Sequence, residues 1–444
     1  MRVLRRARHR FEAHLAGPAA LAVQSRRRLA KLARRRPEAP FGPPLRASVA
    51  LRALMERYYL EGRTADGARP VAWITSGAPV EVLRPLGYYV VYPENHAAIC
   101  GARHAAQAAC EAAERAGYSR SLCSYARTDL GTLFSGKTPV GRVPKPDLLV
   151  CCTNICQTVA GWYRVLAREL GVPLVVIDTP FLQGGERPHH RTYVRRQIET
   201  LAGAAERAAG RPLRLAALEE TLGRSQEAAA LWGECLELGR RRPAPWFGLE
   251  SFLLMGPMVI LRGTPEAIRF YRELLRELRE RAERGIGGLA EERLRLLWDN
   301  LPIWSELRRL SELLGRFGAN LVAATYTHAW SDCADRMQPG DPFDALARTY
   351  LSVLLNRDLA TRARDLAAMA RRFHADGVLF HADRSCKPYS LGQHGLREKL
   401  AREHGVPGVV LEADHSDPRD VAWEAASNRL EAFLEGLAPG SGRR

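Results

Sequence analysis

The sequence predicts two α/β domains of similar topology, each built on a small parallel sheet, and three observations lead to them. Short apolar runs rich in β-branched and aromatic residues alternate with helical patterns, as buried parallel strands and their crossover helices do. The series occurs twice, with corresponding strands starting 223 to 235 residues apart. Glycine-bounded helix ends recur with it: Pro85-Leu86-Gly87 answers Arg316-Phe317-Gly318, and Gly171-Val172-Pro173 answers Gly405-Val406-Pro407. The expected order is a basic arm at 1–47, a first α/β domain at 48–190, a helical connecting segment at 191–290, a second α/β domain at 291–437 and a tail at 438–444.

The arm holds most of the charge. Residues 1–50 carry 13 Arg or Lys and two Glu, so the other 394 residues account for only +6 of the formal +17. Only five of the 66 basic residues are Lys, which suits a compositional bias as well as a binding surface. The runs Arg26-Arg27-Arg28 and Arg34-Arg35-Arg36 are therefore read as a solvated helical arm. Contact with an acidic partner or nucleic acid is the rival reading, and nucleic acid is not an expected partner. No run of about 18 apolar residues occurs, as a transmembrane helix needs, and no secretory signal follows the basic start. A soluble cytoplasmic protein with no membrane partner is expected. At 444 residues, 46% hydrophobic and 26% charged, the chain can bury a core without disulfides or metal.

After the proline-rich stretch Pro37–Pro44, residues 48–61 have a helical pattern. Strands follow at Val71–Thr75, Tyr88–Tyr92, Asp147–Cys151 and Pro173–Asp178, with helices at Cys100–Ala116 and Thr158–Leu170 between them. Residues 190–290 have helical periodicity, apart from an apolar run around Phe252–Leu261. The second set of strands is Leu294–Trp298, Asn320–Ala324, Gly377–His381 and Gly408–Glu412.

In open α/β sheets, ligands bind beyond the carboxyl ends of the strands, so the residues there are the candidates for chemistry. In the first domain these are Ser76-Gly77, Glu94-Asn95-His96, the stretch Cys151 to Cys156, and Asp178. In the second they are Asp299-Asn300, Thr325 to His328, the stretch His381 to Cys386, and Glu412 to Asp414. Cys156 and Cys386 each follow the third strand of their domain.

Six of the nine cysteines fall between Cys100 and Cys156. In a reducing compartment such clustering favours metal or redox chemistry over structural bridges. Zinc sites show two close ligand pairs, whereas here only Cys152 and Cys156 (or Cys151 and Cys156) are close. Single cysteines on loops of two domains would instead clamp one iron–sulfur cluster at the domain interface, with one iron open to a ligand oxygen. Cys110, Cys235 and Cys333 read as core residues, as does Cys151, and Cys152 suits either role. Taken alone, Glu94 also suits a helix-capping acid and Ser76 a turn. His328, His381 and His394 read as structural, and Trp162, Trp298 and Trp304 as packing. The chain has no glycine-rich phosphate-loop sequence, so nucleotide hydrolysis by this chain is not expected.

An ordered set of segments carries a family resemblance: Tyr92-Pro-Glu-Asn-His96, Leu122-Cys-Ser-Tyr-Ala-Arg127, Pro146 to Val159, Trp162-Tyr-Arg164, Val172 to Phe181, Leu297 to Trp304, and Asp376 to Lys387. Spread over residues from about 70 to 435, they resemble the iron–sulfur subunits of the 2-hydroxyacyl-CoA dehydratase and benzoyl-CoA reductase family. The resemblance implies two flavodoxin-like domains holding a [4Fe–4S] cluster through Cys123, Cys156 and Cys386. It implies an acyl-CoA substrate that receives one electron to form a ketyl radical anion and then loses its hydroxyl. Glu94 would move the proton and Ser76 would donate a hydrogen bond in the pocket. It further implies a heterodimer with a second family subunit, reduced by an ATP-hydrolysing iron–sulfur activator. Aromatic ring reduction, a non-catalytic electron relay and a larger double-cubane cluster remain as alternatives, the last because Cys100, Cys151 and Cys152 add further thiols.

Overall fold

The computed structural model describes residues 2–34, 37–338 and 340–438. Arg35 and Arg36 of the basic arm, and residues 439–444 of the expected tail, lie outside the described residues. The chain forms two parallel four-stranded sheets. The first contains β1 (Val71–Ile74), β2 (Tyr89–Val91), β3 (Leu148–Cys152) and β4 (Leu174–Ile177). The second contains β5 (Leu294–Asp299), β6 (Ala319–Ala324), β7 (Gly377–Asp383) and β8 (Gly408–Ala413).

The strand orders are β2-β1-β3-β4 and β6-β5-β7-β8, the same order used twice and the flavodoxin-like one. Every pair is parallel, in registers such as Ala72↔Leu148 and Leu296↔Gly377. Strands β1, β2, β3, β5, β6 and β7 are buried throughout, whereas the edge strand β4 is only partly covered. Burial on both faces is why these strands read as continuous apolar runs rather than alternating ones. In this order the chain reverses direction across the sheet between its first and third strands, which opens a crevice there. The crevices of the two lobes face each other.

The predicted helix Cys100–Ala116 is two helices, Pro93–Ala102 and Ala106–Arg115, broken where His104 takes φ 54°. The first one packs against the second lobe. Its Gly101 lies so close to the second lobe that an added Cβ would meet Ser416 Oγ at 2.9 Å and Trp304 Cβ at 3.1 Å. The apolar run near Phe252 forms two short helices, Glu250–Leu254 and Gly256–Ile260. Between the lobes, the helices Pro188–Ala209, Leu215–Glu237 and Pro265–Glu283 form a scaffold. In the turn before Pro265–Glu283, buried Arg262 donates to Glu81 Oε1 at 3.1 Å, to the Ala78 carbonyl at 3.2 Å and to Tyr350 OH at 3.0 Å. That one side chain ties the loop after β1 to the second lobe. The arm packs on the helix Ala47–Gly62, with Arg28 paired to Glu56 at 2.7 Å.

A second clamp is centred on Arg127, which is wholly buried in the helix Ser124–Ser135. Its Nη1 donates at 2.8 Å to both Glu114 and Asp417, the latter in the loop after β8. Arg419 closes the network on Asp417 and Glu114. Removing one partner of such a buried pair leaves the other charge uncompensated. Arg127→Ala is therefore expected to lower unfolding stability by about 3–5 kcal/mol, read from the urea midpoint.

Candidate functional site

The two crevices merge into one cavity of about 160 Å³ between the lobes. Ser76, Glu94, Cys123, Cys156 and Cys386 all line it, so the five residues singled out in the sequence come together. They arrive from different elements. Ser76 follows β1 and Glu94 stands in the first turn of the helix after β2. Cys123 is the residue that caps the helix Ser124–Ser135. Cys156 follows β3, and Cys386 follows β7.

The three thiols share a local setting. Cys123 precedes the first turn of its helix, Cys156 lies two residues before the helix Thr158–Leu170, and Cys386 precedes the short turn Lys387–Tyr389. The amides of Thr158 and Val159 favour a thiolate at Cys156, and that of Tyr389, which also donates to the Cys386 carbonyl at 3.2 Å, does so at Cys386. Helix starts stabilise anionic sulfur in this way. Burial works against it, pushing the Cys156 thiol up to about 12 and that of Cys386 well above its usual range. A group that coordinates these sulfurs must therefore displace their protons.

The spacing also tells what could be held. Among the described residues, two sets of three His, Cys, Asp or Glu ligand atoms lie within 4.8 Å of one another, and the three thiols are not one of them. They are more widely set than the ligands of a single tetrahedral ion. The other cysteines do not line the cavity. Cys151 and Cys152 are fully buried within β3, Cys110 lies 3.4 Å from Thr128 Oγ1, and Cys100 lies 3.8 Å from His96 Nε2.

Opposite the thiols, Glu94 Oε2 accepts from the Ser76 amide. Burial pushes the Glu94 carboxyl up to about 7, against the opposing pull of that bond. Asp129, behind the cavity wall, is likewise raised to about 7 by burial and accepts from Trp162 Nε1 at 2.9 Å. Trp162, Trp304, Trp330 and Tyr326 supply apolar and aromatic walls. Two of the tryptophans expected to pack, Trp162 and Trp304, thus also face the cavity.

Not every polar group expected at the strand ends reaches it. Asp299 is held by Thr325 Oγ1 at 2.7 Å and Gln393 Nε2 at 3.0 Å, inside the second lobe. Exposed Glu412 pairs with Arg384 instead. His328 and His381 bond to backbone carbonyls, as structural histidines do.

The residue that sequence reasoning missed is His415. It lines the cavity, with Nδ1 2.7 Å from Asp383 and Nε2 2.9 Å from Ser124 Oγ and 3.9 Å from Cys123 Sγ. Burial opposes a charge on this ring, but Asp383 and Asp414 outweigh it and hold His415 protonated. The available signal was its place directly after the acidic end of β8, in Glu412-Ala-Asp-His415.

Residues 75–437 match the family described as 2-hydroxyglutaryl-CoA dehydratase, D-component. The chain is 32% identical over 385 residues to the (R)-2-hydroxyisocaproyl-CoA dehydratase alpha subunit of Clostridioides difficile, covering 86% of this chain and 93% of that one. It is 30% identical to the (R)-phenyllactyl-CoA dehydratase alpha subunit of Clostridium sporogenes, covering 82% and 89%. It is 29% identical to a benzoyl-CoA reductase subunit of Thauera aromatica, covering 85% and 90%.

The buried carboxyl has a measurable consequence. Glu94 holds its proton up to about pH 7 in the folded chain, against 4.5 for an ordinary glutamate. The folded state binds more protons in that window, so stability falls as pH rises through it. Glu94→Gln removes the effect. Its gain over the wild type is expected to grow from about pH 4.5 to about 7 and then level off, reaching about 3 kcal/mol, as followed by thermal unfolding across pH.

Proposed function

The chain belongs to the 2-hydroxyglutaryl-CoA dehydratase D-component family, and on that premise we propose that it is the iron–sulfur subunit of an enzyme that dehydrates a 2-hydroxyacyl-CoA thioester. The observation that carries the reading is the meeting of Cys123, Cys156 and Cys386 with Glu94 and Ser76 in one cavity between the lobes. The thiol set fits a [4Fe–4S] cluster held by three cysteines: sulfur donors, helix-start amides facing two of them, and a spread too wide for one ion. When bound, such a cluster supplies single electrons to the thioester and an iron able to accept an oxygen ligand.

The chain's own residues do the rest. The Ser76 amide fixes the Glu94 carboxyl at the cavity wall. With its proton held near pH 7, Glu94 is present in both forms at neutral pH. That suits a group giving a proton to a departing hydroxyl and taking one from carbon. The aromatic walls exclude water, which strengthens the electrostatic interactions inside. His415, held protonated by Asp383 and Asp414, offers positive charge beside Cys123.

The matches to alpha subunits support a heterodimer with a second family subunit, with an ATP-hydrolysing iron–sulfur activator as electron source. Among the described residues no helix is long and apolar enough to cross a membrane, and the cytoplasm is the proposed location. Reduction of an aromatic acyl-CoA ring is the second reading, carried by the match to the benzoyl-CoA reductase subunit of Thauera aromatica. It differs in product, since no hydroxyl leaves.

Anaerobic purification with iron and sulfide counting tests the proposal. About four irons per chain, lost on Cys156→Ala and giving an EPR spectrum that an acyl-CoA perturbs, is the expected result. A spectrum unmoved by acyl-CoA would favour an electron relay, and no iron after reconstitution would overturn the cluster. Glu94→Gln is expected to keep its iron and to lose turnover by about 10²-fold or more, measured with the partner subunit and activator present.

A further inference from the structure

The amino-terminal arm carries chemistry that the cavity does not use. His9 closes the first helix, Arg2–His9, and the chain then widens into a π-helical stretch at Arg10–Ala16. In an α-helix, residues five apart project about 140° from each other. The wider turn instead brings His9 and His14 together, edge to face, with ring centroids 5.2 Å apart. Such turns are rare and concentrate at functional sites. Facing them, the last turn of the helix Ala47–Gly62 presents Glu61. One ligand atom from each of His9, His14 and Glu61 lies within 4.8 Å of the other two.

The hydrogen bonding leaves His9 ready for a ligand. Its Nδ1 lies 2.9 Å from the Thr64 hydroxyl. Its Nε2 is buried with no partner, on a residue only 6% exposed. An unpaired buried polar atom is costly, whereas a ring anchored through one nitrogen with the other bare is how metal-binding histidines are held. Glu61 Oε1 accepts from Arg69 Nη1 at 2.5 Å, which orients the carboxylate without exhausting its lone pairs.

Two imidazoles and one carboxylate form a donor set suited to zinc. We infer that His9, His14 and Glu61 form a divalent-metal site, for zinc or a metal of like preference, that fastens the arm to the first lobe. Arg8 and Arg69 are paired with Glu12 and Glu61, yet the arm is cationic overall, so the expected affinity is micromolar rather than nanomolar. The site lies outside residues 75–437, which carry the family match, and shares no residue with the cysteine cavity. Its failure would leave the cluster proposal untouched.

Zinc and cobalt(II) are titrated into the full, anaerobically purified chain and into His9→Ala and His14→Ala, and the difference between wild type and variants is the readout. The wild type is expected to bind one equivalent that each variant binds about tenfold or more weakly, with iron content unchanged. That equivalent should give a cobalt spectrum without an intense thiolate charge-transfer band. Zinc should also slow tryptic cleavage of the arm, and EDTA should reverse this. Absence of that equivalent, equal binding by wild type and both variants, or a thiolate band from the equivalent the variants lose would overturn the inference.

Discussion

The candidate site depends on the lobes being held rigidly, because its thiols come from both. The Arg127 clamp supplies that constraint where it matters most. The helix bearing Arg127 begins at Cys123, and the loop bearing Asp417 also bears His415, so one buried ion pair sets the position of both. Neither Arg127 nor Asp417 has exposed side-chain surface. Their desolvation is offset only while Glu114 and Arg419 complete the network. The Ser124 amide bonding Ser385 Oγ at 3.0 Å then brings the segment before Cys386 to the segment after Cys123. A relative movement of the lobes would break these bonds together, so the fold favours one lobe arrangement strongly over its neighbours.

Within that frame, burial acts in opposite ways on two classes of ionisable group. At Cys156 and Cys386 it raises the proton affinity, while helix-start amides offer compensation that becomes effective once the protons are displaced. At Glu94 it produces a carboxyl poised near neutrality, with the Ser76 amide and hydroxyl opposing the shift. Asp414 goes the other way. Burial alone would raise it, but His415 and the Ser124, Ser385 and Asp417 donors bring it down to about 2. The cavity therefore has a corner around His415 and Asp414 that favours charge and a switchable one at Glu94.

Much of this was legible in the sequence, for a physical reason. Strands buried on both faces are short unbroken apolar runs, so β1, β3, β5 and β7 lie within a residue or two of their expected positions, and the chemistry follows at their carboxyl ends. Contacts between distant segments were not legible. Gly101 meets Ser416 and Trp304 just before the break at Arg103–Ala105, a contact that no local pattern records. His415 acquires its role from Cys123 and Ser124, which lie nearly 300 positions earlier. The five residues that line the cavity were visible because motifs marked them, whereas the residues that hold them were visible only once the lobes were packed.

The repeated topology makes the asymmetry of the site informative. Both third strands are followed by a cysteine that reaches the cavity, so that position serves the same end in each lobe. The loops after the first strands differ. In the first lobe that loop donates the Ser76 amide to Glu94 and faces the cavity. In the second, fully buried Asn300 takes φ 101°, and its amide nitrogens bond Thr325 Oγ1 and the His381 carbonyl. Its polar groups are spent on keeping β5, β6 and β7 in place. The carboxyl that burial holds near neutrality thus comes from the first lobe, while the second supplies one thiol, the charged histidine and the fixed wall against which both stand.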